Sequence, residues 1–127
     1  MNKLMIPIAS LLLTTPAAAS AQSLEGLWAN PKKSVVVKVE RCGPALCGAI
    51  SWASDRNKEK GVELGTRVLS DLKPQGDGTY RGSALEPKRN IRGLATVHQL
   101  GPNMMVVKGC ALLGLFCREQ RWTRVAS

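Results

Sequence analysis

The sequence predicts an all-β fold, with seven or eight short antiparallel strands forming a barrel or a sandwich. Three observations predict it. Apolar and polar residues alternate at period two in several stretches, Gly- and Pro-containing turns recur at short spacing, and no amphipathic helical period follows the N-terminal stretch. The elements follow in chain order.

Lys3 precedes an apolar run over residues 4–13, then Pro16 and the small residues 17–21. This pattern predicts a secretory signal with the A-x-A site Ala19-Ser20-Ala21, cleaved before Gln22. Residues 1–21 are therefore expected to be removed and residues 22–127 to form a single domain. The run is too short to span a bilayer, and no second long apolar run follows it. With 21 of the 127 residues removed, the remaining 106 carry all 9 acidic side chains and every basic one except Lys3, a net of +8. A transmembrane protein, a cytosolic enzyme and a multidomain assembly do not fit these features. A small basic exported domain, periplasmic or secreted, does.

Val35, Val37 and Val39 alternate with Lys38 and Glu40 and predict a half-buried strand over residues 34–40. Gly43-Pro44 cannot continue a ladder, so residues 42–47 read as a turn, and residues 48–53 return as a strand carrying Ile50 and Trp52. Residues 54–65 are polar and read as an exposed loop, with room for one helical turn over residues 59–70. A short strand is expected over residues 68–72, followed by a turn over 74–78. Strands over residues 79–85, 94–100, 104–108 and 118–125 complete the set, separated by turns at 87–90 and 101–103.

The four Cys are spaced Cys42-x4-Cys47 and Cys110-x6-Cys117. In an oxidising compartment they read as two disulfides, for which three connectivities exist. Cys42–Cys47 with Cys110–Cys117 is the expected one, because each pair brackets a turn and closes a short loop. The spacings are wider than those of usual zinc sites, and no carboxylate–His cluster has ligand spacing, so no metal and no cofactor is expected.

Leu24-Glu25-Gly26-Leu27-Trp28 opens the expected domain and Arg121-Trp122-Thr123-Arg124-Val125 closes it. A Gly-x-Trp in the first strand with an Arg in the last resembles the calycin barrels of the lipocalin superfamily. That resemblance implies that Arg124 packs across Trp28 and seals one barrel end, a contact favoured by cation–π attraction. Residues 42–52, Gly76-Asp77-Gly78-Thr79-Tyr80-Arg81-Gly82, Lys108-Gly109-Cys110 and residues 113–125 add a more specific pattern. In that order they resemble domain-of-unknown-function family 2147 (DUF2147), small secreted proteins of Gram-negative bacteria. The resemblance covers nearly the whole of residues 22–127. It implies a small up-and-down lipocalin-like barrel and no established activity. The family usually has a longer insert after the Trp52 strand and an acidic Asp-Pro after the Tyr80 strand. Here Leu85-Glu86-Pro87-Lys88-Arg89 ends basic, which implies a smaller and more cationic mouth.

The residues give little support to an enzyme. His98 is alone, inside an alternating strand, and there is no nucleophile-elbow Ser. Asp55, Glu59 and Glu63 look solvated in the polar loop. Lys88, Arg89 and Arg92 cluster, and Arg118, Arg121 and Arg124 share the last strand, which favours anions. Nucleic acid does not fit a domain outside the cytoplasm, and stacking platforms are scarce, with one Tyr and one Phe beside three Trp. Two readings therefore stand. In the first, the barrel binds a small amphipathic or anionic molecule without turning it over, with Trp52 and Tyr80 facing the interior. In the second, a filled barrel is a protein-interaction module, an inhibitor or an envelope-assembly partner. The stretch Ala111-Leu112-Leu113-Gly114-Leu115-Phe116 bears on the choice, since a hairpin tip is normally polar. Either it folds inward as a plug over one barrel end, or Leu112, Leu113, Leu115 and Phe116 form an apolar lip for a partner, a ligand or a membrane surface.

Overall fold

The structure is a computed structural model and describes residues 23–126. The expected signal segment lies outside the described residues. Eight antiparallel strands close into a barrel in sequence order: β1 (Gly26–Ala29), β2 (Val35–Cys42), β3 (Ala45–Ala53), β4 (Arg67–Gly76), β5 (Thr79–Glu86), β6 (Ile91–Gln99), β7 (Met104–Ala111) and β8 (Phe116–Val125). One short helix, α1 (Asp55–Glu59), joins β3 to β4. The all-β barrel is thus the observed fold.

The alternating pattern works as the pleat requires, since successive side chains point to opposite faces. Val37 and Val39 of β2, Ala95 and Val97 of β6, and Met105 and Val107 of β7 are buried, while the residues between them face outward. Trp28, Leu69, Leu72, Met105, Val39 and Val97 are almost wholly buried and occupy the barrel interior, with Tyr80 and Ala84 packed against them.

An up-and-down barrel sends its connections alternately to its two ends. One end holds the tight turns at 43–44 and 77–78, the connection at 100–103, and the chain leading into β1. The β4–β5 hairpin turns through Asp77 and Gly78, both at positive φ, which is the Asp-Gly chemistry expected of a two-residue loop. The other end, called here the loop end, carries residues 30–34, the α1 connection 54–66, and the turns at 87–90 and 112–115.

Several strand limits differ from the expected ones. β4 runs on to Gly76 through Pro74, because register shifts between Ser70 and Lys73 and between Pro74 and Gly76 absorb residues that a regular ladder would reject. Gly82 of β5 lies opposite, where a Cβ would strike the carbonyls of Ser70 and Asp71. The loop at 54–65 is not wholly exposed. Ser54 caps α1, its hydroxyl accepting from the Asn57 N–H at 3.2 Å. Asn57 is buried and donates through Nδ2 to the Ser34 carbonyl at 3.2 Å, and Val62 joins the core. The helical turn therefore starts earlier than expected and covers part of the loop end.

Candidate functional site

Trp28 and Arg124 form one closed end of the barrel. The guanidinium of Arg124 lies 4.4 Å from the Trp28 ring centroid. It donates at 2.7 Å to each of three backbone carbonyls, through Nε to Pro102, Nη1 to Glu25 and Nη2 to Ser23. Trp28 donates from Nε1 to the Leu24 carbonyl at 2.9 Å. Gly26 has φ 138°, and a Cβ there would collide with Arg124, so the Gly of Gly-x-Trp makes room for the arginine.

Tyr80 is half-buried against the core. Trp52 is not inside the barrel; it is 48% exposed. The expected alternation from Ile50 fails because β2 and β3 slip register between Val36 and Val37. Val37 pairs with Ile50 and Val36 with Trp52, leaving Ser51 as an extra residue. This bulge turns Trp52 outward and returns Ala53 to the core. The interior that was expected to present Trp52 and Tyr80 to a ligand therefore lacks the indole. His98 is half-buried, with Nδ1 3.0 Å from the Thr79 hydroxyl.

Both expected disulfides are present, Cys42–Cys47 and Cys110–Cys117, so all four thiols are engaged. Cys110 and Cys117 face each other directly across β7 and β8 and tie the base of the hairpin that carries the apolar stretch.

That hairpin does not fold inward. Leu113 is 104% exposed and Leu112 and Phe116 are each 64% exposed, with Leu115 also in solvent. The plug reading is overturned, and the physical reason is the backbone. β7 and β8 stay paired up to Ala111 and Phe116, which carries the turn beyond the core. The turn closes by the Gly114 N–H donating to the Ala111 carbonyl at 3.2 Å, and Leu115 N–H to Leu112 at 3.1 Å. Leu112 and Leu113 sit at φ 53° and 58°, a left-handed conformation that costs an L-residue roughly 1–2 kcal/mol. Two leucines thus hold positions where Asn-Gly would be unstrained.

Sequence reasoning did not single out Leu94, which lies beside this apolar surface. It is exposed and pairs with Cys110 at the disulfide. The signal was available, because a strand that buries Ala95 and Val97 must turn Leu94 outward. The cations also segregate. Lys32 and Lys33, Arg56, Lys58 and Lys60, and Lys88 and Arg89 all lie in loop-end connections, where they outnumber Asp55, Glu59 and Glu63, whereas the opposite connections contain no Lys or Arg. Glu86 steadies the basic turn, its carboxylate accepting from the Lys88 N–H at 2.8 Å and the Arg89 N–H at 3.3 Å. The loop end is therefore apolar at its tip and basic around it.

No curated protein and no solved structure matches the chain. The family model described as an uncharacterized protein conserved in bacteria (DUF2147) matches residues 26–124. That match spans the barrel from its first strand to Arg124, so the chain belongs to the DUF2147 family.

Proposed function

We propose that this protein is a non-catalytic binding module of the bacterial cell envelope that meets its target through the loop end and uses the barrel as a filled scaffold. One observation carries the reading. The interior is taken up by buried side chains such as Trp28, Met105 and Leu72, while Leu112, Leu113, Leu115 and Phe116 are presented to solvent on a disulfide-braced hairpin. The N-terminal signal pattern and the two disulfides support export to an oxidising compartment. A carrier of a small amphipathic or anionic molecule would need an interior site, and of its two expected aromatic residues only Tyr80 lies against the core.

Native mass spectrometry of the protein from its own envelope, folded against denatured, tests this. The expected folded species is the bare chain with both disulfides intact. A mass excess that vanishes on denaturation and persists in L113S/L115S would place a small molecule inside the barrel and overturn the reading.

A further inference from the structure

We propose that the loop end docks on the surface of an anionic phospholipid bilayer, with Leu112, Leu113, Leu115 and Phe116 entering the headgroup region and the surrounding cations meeting lipid phosphates. The inference rests on the loop-end reading and names its partner.

Three observations carry it. First, the apolar groups form a projecting tip with no polar side chain between Ala111 and Phe116. A convex apolar tip suits the headgroup boundary, where amphipathic elements bury their apolar side to shallow depth. Second, the connecting loops differ in charge between the two ends. Those at the tip's end carry seven Lys and Arg against Asp55, Glu59 and Glu63, a net of +4, whereas the turns at the far end carry only Asp77. Among the described residues the ion pairs are Lys38–Glu40 and Arg41–Glu25, so the loop cations are not spent on internal pairs. A bilayer carrying negative charge attracts such a basic end and orients it.

Third, the same molecule makes a positive-φ turn in two ways. At the far end it uses Asp77-Gly78, which suits the conformation, and at the tip it uses Leu112 and Leu113, which do not. Folding alone favours the first solution at both ends. Backbone strain held in an exposed apolar turn points to selection for contact with something apolar.

The test uses the disulfide-intact protein without residues 1–21, co-sedimented with vesicles of phosphatidylcholine alone or mixed with an equal amount of phosphatidylglycerol. Partitioning to the mixed vesicles is expected to be at least about tenfold stronger and to weaken as salt is raised. L112N/L113G should lose about tenfold or more through the lost apolar insertion, and K88A/R89A about tenfold or more through the lost charge. Equal partitioning to both vesicle types, or undiminished binding by both variants, overturns the proposal. A photo-crosslinker at position 113, with position 77 as control, separates its failure from that of the underlying reading. If vesicles are ignored but position 113 alone captures a protein in intact cells, the bilayer is wrong and the loop-end reading stands. If vesicles are ignored and position 113 captures nothing, both fall.

Discussion

Replacing Leu112 with Asn and Leu113 with Gly is expected to stabilise the domain while stripping its apolar tip. Both leucines have left-handed backbones, at φ 53° and 58°, and relieving that strain is worth roughly 2–4 kcal/mol for the pair. Against this, glycine brings extra freedom to the unfolded chain, a loss of about 0.5–1 kcal/mol. Leu113 is 104% exposed and gives up no burial; Leu112, 64% exposed, gives up a fraction, about 1 kcal/mol at most. The net is a gain of roughly 0–3.5 kcal/mol, centred on about 2 kcal/mol, which for a domain of this size raises Tm by roughly 10 °C. Thermal unfolding followed by circular dichroism on disulfide-intact protein reads the shift directly. A fall in Tm of several degrees would mean instead that the leucines are packed in the native state.

Arg124→Leu removes three donors from the carbonyls of Ser23, Glu25 and Pro102 and the cation over Trp28, and denaturant titration should show a loss of about 2–3 kcal/mol. Trp52→Ser should cost less than about 1 kcal/mol, whereas Trp28→Ala should cost at least about 3 kcal/mol by the same titration. In the intact protein, acrylamide should quench Trp52 readily and leave the buried Trp28 and Trp122 largely protected. C110S/C117S should lower stability by roughly 2 kcal/mol, the value for a ring this small, with the rest of the barrel retained as judged by far-UV circular dichroism.

Much of the fold was legible because the barrel obeys short-range rules. Val35, Val37 and Val39 announce β2 by period two, and Gly43-Pro44 and Asp77-Gly78 mark turns through their backbone requirements. Gly26, Trp28 and Arg124 were legible only jointly, since their contact spans the whole domain and no local pattern encodes it. The outward turn of Trp52 is not legible, because a single inserted residue, Ser51, reverses the pleat, and nothing in Ile50-Ser51-Trp52 distinguishes a bulge from a regular strand. Asn57 and Val62 carry no local signal of burial, because their burial depends on docking α1 against Ser34 and the core.

The apolar stretch at the tip shows the same division. Its composition set it apart in the sequence, but composition could not choose between plug and lip. Folding inward depends on how far the ladder between β7 and β8 extends, and pairing up to Ala111 and Phe116 excludes the plug.

If this tip is the surface that docks on the bilayer, leucine methyl NMR with and without bicelles containing phosphatidylglycerol and a spin-labelled phospholipid will show it. Strong broadening is expected at Leu112, Leu113 and Leu115, with none at Leu100, an exposed leucine at the opposite end. Broadening centred on Leu100, or spread evenly over both ends, would contradict that docking.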